Sequence, residues 1–429
     1  MKPSGIDSIA VLPIANESGD PGMDYVSDGL TENLIAQLSG LPHLKVIARS
    51  SVLRFKAQAP DPAKLGMELG VKAILVGRMR TENGQLKLSL EMADTRNQRR
   101  LWGVQLLRPA NDLLNLQESL AEQVAANLGR TQPDDRKAVA DTRIRTTNSQ
   151  AYDLYLKGRF YADRWLPSEV EKALAYFDQA LALDPSFVLP HIGKANAYWG
   201  LSSSFRPGGE MMPKVKQEAE AAIKLDPNHA EALALRGMAL ISHDRDVEAA
   251  NRDFRKALAF APSSPVVLQT FAFALMTQGK AQESVKLLKQ AIAVDPLSPL
   301  PWTFLGITQQ TAGNFKAAQE AGQRVVSLEP DFYFGHLILG TTALHQGRRQ
   351  EALKELDLAA ASGSNYALAF KGKALGLSGR TEEARAVLAF LQSPKARENG
   401  YVSPLHLALV HLGLGQRKEA LALVDQAID

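Results

Sequence analysis

The chain has 429 residues, 45% of them apolar and 22% charged, with 49 Lys/Arg against 46 Asp/Glu for a net charge of +3. It is a folded composition too long for one ordinary core, and the nearly balanced charge argues against a dominant nucleic-acid footprint; the longest basic cluster, RNQRR at 96–100, reads as a solvated turn. There is no cysteine, which removes disulfides, thiolate chemistry and Cys-ligated zinc.

No apolar run approaches the ~18 residues a membrane span needs, and MKPSGID has no signal-peptide core. A complete chain of this kind is expected in the cytoplasm. A fragment would be the periplasmic or extracytoplasmic part of a membrane-anchored signalling protein.

Residues 7 to about 130 alternate between strand and helix patterns. SIAVLPI from Ser8 is a strand, and GLTENLIAQLSGL is an amphipathic helix with Leu30, Leu34, Ile35 and Leu38 on one face. LKVIAR at 44–49 is a second strand. In DPAKLGMELG, Asp61 caps a short helix, Pro62 takes its first position and Gly70 ends it. KAILVGRMR and QLKLSLEMAD flank a hairpin turn at Asn83-Gly84, and Leu86, Leu88, Leu90 and Met92 alternate with polar residues. RLWGVQLL at 100–107 is a third arm, and NDLLNLQESLAEQVAANLG is a closing helix. The order β-α-β-α-β-β-β-α gives an α+β domain, a mixed sheet with its helices mainly on one face.

The glycine- and aspartate-rich loop between the first strand and helix resembles a phosphate site only in outline. GxxxxGK[ST] and GxGxxG are both missing, and Glu17, Asp20, Asp24 and Asp28 would repel a phosphate. Their spacing is not that of an EF-hand, so turn and capping roles are expected and no metal or cofactor is assigned. HExxH, GxSxG and kinase motifs are absent and the eight histidines are scattered, so no catalytic residue is assigned. The alternative is a small-ligand or nucleotide receptor, or an enzyme, with its site in the interdomain cleft or at the 16–28 loop.

Residues 130–150 form a polar connector with Pro133, a short helix or a hinge. Beyond it the sequence repeats. Pro185, Pro227, Pro262, Pro296 and Pro330 close similar phrases at intervals of 42, 35, 34 and 34, and Gly279, Gly313, Gly347, Gly379 and Gly415 recur at 34, 34, 32 and 36. Ala318, Ala352, Ala384 and Ala420 follow at a fixed offset. Trp302, Leu305, Gly306, Ala318 and Pro330 in residues 299–332, and Gly158, Ala173, Phe177, Ala180 and Pro185 in 154–185, give the register.

These markers resemble the tetratricopeptide repeat (TPR), two antiparallel helices per 34 residues, in eight units over about two thirds of the chain. Stacked pairs form an all-α superhelical solenoid. The wording of 8–56, with LGVKAILVGRM and RLWG, resembles the TolB N-terminal (FlgO-type) domain. That family often precedes TPR units in bacterial signalling proteins whose effectors are serine/threonine kinases, adenylate cyclases or winged-helix regulators. The implied domains are 1–131, TolB-like; 132–148, linker; and 149–429, solenoid.

The resemblance implies a non-enzymatic interaction or sensory scaffold that holds a peptide or protein partner, without nucleic acid, in a concave groove. Any signal would pass through a change in the angle between the domains. Its groove offsets fall on Tyr152, Tyr155, Arg159, Asn196, Trp199, Gln269, Thr303, Gln310, Thr341 and His345. Phe273, Met276 and Phe334 share such offsets but read as core. GLSSSFRPGGEMMP, residues 200–213, is a non-helical insertion that reads first as a tolerated surface loop, and in the alternative as a flap at the groove mouth with Phe205 and Arg206 as contacts. At the last repeat Leu421 and Val424 lack a neighbour, which is expected if the chain was cut there, if a second copy covers the face in a homo-oligomer, or if the end is tolerably exposed.

Overall fold

The computed structural model describes residues 5–56, 61–109, 112–130, 132–135, 146–162, 167–202 and 205–428. A mixed sheet opens the chain and paired helices follow it.

The sheet runs β3-β1-β4-β5-β6, from Ser8–Val11 (β1), Ala15–Asn16 (β2), Lys45–Val46 (β3), Ala73–Glu82 (β4), Gln85–Asp94 (β5) and Arg100–Pro109 (β6); β2 also pairs with β4. Strand β1 is buried throughout between parallel neighbours, which explains its unbroken apolar run. Pro13 cannot donate to the ladder, so β1 and β2 meet β4 as separate pieces, and the Ile14 amide donates to Thr31 Oγ1 at 3.0 Å. The β4–β5 hairpin turns through Asn83 and Gly84 at φ of 52° and 74°, and the expected apolar side of β5 is buried.

Helix α1 (Asp24–Ser39) starts before the predicted span and buries Leu30, Leu34, Ile35 and Leu38. LKVIAR keeps only two strand residues, because Arg49–Val52 closes into a short helix, α2. In α3 (Pro62–Leu69) the Asp61 carboxylate accepts from the Ala63 amide and Gly70 takes φ 63°. Helix α4 (Leu113–Asn127) packs beside α1. Of the connector, residues 131 and 136–145 lie outside the described residues.

Among the described residues, eight helix pairs follow. They are α5/α6 (Ser149–Ala162, Pro167–Leu183), α7/α8 (Val188–Leu201, Gly208–Leu225), α9/α10 (Ala230–Ala239, Val247–Phe260) and α11/α12 (Pro265–Thr277, Ala281–Val294). Next come α13/α14 (Pro299–Thr311, Phe315–Leu328), α15/α16 (Phe334–His345, Arg349–Ala360) and α17/α18 (Asn365–Leu377, Thr381–Gln392). After the short α19 (Pro394–Glu398) the last pair is α20/α21 (Pro404–Gly413, Arg417–Ile428). Gly279, Gly313, Gly347, Gly379 and Gly415 turn the chain within their pairs at φ between 74° and 79°. Gly158 and Gly193 both face the fully buried Phe177 ring, and a Cβ on either would come within 2.5 Å of it.

The insertion is shorter than expected. Helix α7 runs to Leu201 and α8 starts at Gly208, so only 202–207 lie between them. Pro213 sits within the second turn of α8, where its fixed φ suits the helix and only one internal bond is lost. Phe205 packs with Val170, Ala197, Leu201 and Met211 instead of projecting as a flap, and Arg206 is exposed. An unforeseen π-turn at Leu240–Asp244 follows α9.

Candidate functional site

The predicted groove positions fall on the first helices of pairs one, two, four, five and six, and in the first pair they are already filled. Tyr152 is fully buried; its hydroxyl donates to Gln117 Oε1 at 2.7 Å and accepts from the Asn33 amide. Tyr155 is 8% exposed against Phe177 and Phe187, and Arg159 pairs with Glu32 at 2.6 Å. Tyr25 donates to Asp153 at 2.6 Å. The contacts of Tyr152 and Arg159 come from α1 and α4, so these two seat the chain's own N-terminal domain, whereas Tyr155 is buried within the repeats; none of the three lines an open groove as expected.

The repeats curve back to touch that domain again. Asp295, in the turn before α13 and 2% exposed, accepts from Ser50 Oγ and Ser51 Oγ, both at 2.6 Å. Its carboxylate thereby ties the side chains of the first turn of α2 to the repeats. The Leu297 amide donates to Ser51 Oγ at 2.9 Å, the Ala48 amide to the Val294 carbonyl at 2.8 Å, and Arg54 to the Leu328 carbonyl at 3.0 Å. Burial pushes the Asp295 carboxyl above its ordinary value, and the serine hydroxyls only partly offset it. One apolar cluster runs from the sheet through Tyr152, Tyr155, Phe187, Leu297 and Leu328.

The later pairs leave their first helices open. Asn196 donates to Glu231 at 2.7 Å, and Trp199 and Gln269 are half-buried. Thr303 and Thr341 are buried and bond back to helix carbonyls of Pro299 and Leu337, so neither hydroxyl is offered to a partner. Gln310 donates to Thr341 at 2.8 Å and Thr342 at 3.0 Å, tying α13 to α15. His345 is exposed and stacks on Phe315. Phe273, Met276 and Phe334 are half-buried rather than core, with Phe273 against Phe304 and Phe334 within 6.4 Å of Tyr366.

The sequence reading missed the outer part of this face. Leu300 is 42% exposed, Tyr366 38%, Leu405 48% and Leu412 43%. The signal was present in the repeat itself. Six residues before the glycine that turns each pair stand Phe273, Ile307, Thr341, Lys373 and Leu409. Burial pulls Lys373 below its usual value, and burial together with the charge of Lys373 pulls His345 down. Leu421 is 64% exposed on the last helix.

In the 16–28 loop, Asp20 accepts from the Gly22 amide, Asp24 from Asn16, Glu17 pairs with Arg80 at 2.6 Å and Asp28 with Lys56 at 2.9 Å. Among the described residues no group of three or more His, Asp or Glu is arranged to hold a metal, and no helix is long and apolar enough to cross a membrane.

The chain carries tetratricopeptide repeats. Residues 216–265 and 303–367 match one model of the repeat, and residues 365–389 and 405–426 match another. A Rhizobium meliloti (strain 1021) protein named as a candidate adenylate cyclase, "adenylate cyclase 3", is 30% identical over 43% of this chain and 31% of its own length. The transcriptional regulator HilA of Salmonella typhimurium is 23% identical over 33% of this chain and 26% of its own. The chain thus spans less than a third of these relatives. Among solved structures, PilW, a type IV pilus biogenesis factor, is 20% identical over 50% of this chain and 94% of its own, with a TM-score of 0.41.

Proposed function

We propose that this chain is a non-enzymatic interaction and sensory scaffold of bacterial signalling that holds a peptide or protein partner on the concave face of its later repeats. One observation carries the reading. The first helices of pairs four to eight present a continuous, half-exposed and nearly uncharged face, whereas that of the first pair is filled by the N-terminal domain. Apolar anchors beside side-chain amides suit a bound polypeptide, because burying the anchors supplies affinity and the amides meet backbone groups.

The N-terminal domain is read as a TolB N-terminal-like module that fixes the curvature of the repeats. The two relatives support a signalling context. One is named for a cyclase and the other for transcriptional control, and this chain matches only part of each, as a module serving different outputs would. Its partner groove runs from Gln269 through Gln310 to His345, and the domain joint at Asp295 passes changes in the N-terminal domain to the repeats.

Position-specific photocrosslinking tests this. Benzoylphenylalanine at Leu300, Tyr366 or Leu405 is expected to yield adducts with a partner polypeptide in the native cell, and at Leu183 or Leu358, exposed on second helices, none. Equal adduct formation at both sets of positions contradicts groove binding.

A further inference from the structure

Lys373 stands alone in the open face. Along the row formed six residues before each turning glycine its neighbours are Thr341 on α15 and Leu409 on α20, and it is the one charged residue of that row. Its ammonium is half-buried, and among the described residues no carboxylate pairs with it. Lys371, two residues earlier, has its anion in Asp357 at 2.8 Å. On α15 the His345 imidazole is pulled below its usual value by burial and, after it, by the charge of Lys373. Around it the surface is apolar. Tyr366 contacts Phe370 and approaches Phe334, and Leu405 and Leu412 are exposed on α20.

A half-desolvated cation without an anion is a cost that a carboxylate on a partner would offset. From this charge complementarity we propose that the face of α15, α17 and α20 takes an apolar polypeptide segment bearing an internal aspartate or glutamate, whose side chain pairs with Lys373 while flanking apolar residues settle against Tyr366, Phe370, Leu405 and Leu412. A side-chain carboxylate fits better than a chain terminus. A terminus is held by several converging donors, and here there is one lysine; the apolar surface also continues on both sides of it, so a segment ending there would leave half the face uncovered. The proposal rests on the groove reading above and gives it a chemistry.

The test selects ligands from two random peptide libraries displayed to the full chain, one with C-termini blocked by fusion and one with free C-termini. Wild type is expected to enrich, in both, an internal acidic residue flanked by apolar or aromatic ones. Lys373→Gln, which keeps the aliphatic stem, should weaken the synthesised winners by about tenfold or more. Lys373→Glu should select Lys or Arg at the same place. Leu405→Asp, remote from the lysine, should weaken the same peptides through the apolar contact. Thermal melting of each variant confirms that it is folded. Enriched peptides that bind unaffected by Lys373 changes, or that need a free C-terminal carboxylate, overturn the proposal and leave groove binding standing. No enrichment from either library overturns both.

Discussion

Replacing Asp295 with alanine isolates the joint between the repeats and the sheet domain. The carboxylate accepts two hydroxyl bonds of 2.6 Å from the first turn of α2 at a site 2% exposed. Hydrogen bonds to a charged group are worth about 1.5–3 kcal/mol each. Against that stands the burial that pushes its carboxyl up, so a net loss of about 1–3 kcal/mol is expected at the joint. Because the fold is modular, the loss should appear as local opening. Hydrogen exchange of the Ala48 and Leu297 amides, which bond across the joint at 2.8 and 2.9 Å, should accelerate by about 5- to 150-fold. Amides of α17 and α20, far from the joint, should be unchanged. Unaltered exchange at Ala48 and Leu297 would refute the assignment of Asp295 as the clasp.

Tyr152→Phe removes one hydroxyl from the buried trio with Asn33 and Gln117, and a loss of about 1–2 kcal/mol is expected in urea unfolding of the first pair and sheet domain. Gly413→Ala places a Cβ 2.5 Å from the Lys373 carbonyl oxygen, so α17 and α20 must separate; a loss of about 1–3 kcal/mol, read as earlier melting of the last repeats, should result. Acid should destabilise the second pair. Burial raises the Glu218 carboxyl, but bonds from His191 and Lys194 outweigh it and hold it below 4.5, so its contribution is complete above that value and is lost as pH falls through the lowered one. Asp295 has the opposite sign, its contribution greatest below 3.8 and declining as pH rises through its raised value. A pH series of exchange rates should therefore show α7 and α8 loosening in acid before the joint does.

Local chemistry was legible wherever it decides local structure. The Asp61 cap, the Asn83-Gly84 turn and the glycines that turn each pair are demanded by backbone conformation, which a short window of residues reveals. The strand at 44–49 misled because its second half folds onto Asp295, some 245 residues away in the chain, and no local pattern carries such a contact. Tyr152 and Arg159 misled for the same reason. Their repeat offsets carry no information about which body lies against them, which is a tertiary fact. Lys373 could have been found by extending the repeat offset one unit further; its missing counter-ion could not.

Because the chain has no cysteine, single cysteines report accessibility without background. Maleimide labelling of Tyr366→Cys and Leu405→Cys should be fast in the free protein and suppressed when a selected acidic-apolar peptide is bound, and Tyr155→Cys should label slowly in both states. Fast labelling at Tyr155→Cys, or suppression at Leu358→Cys in place of Tyr366→Cys, would contradict a solenoid whose first repeat is occupied from within and whose last repeats are open to a partner.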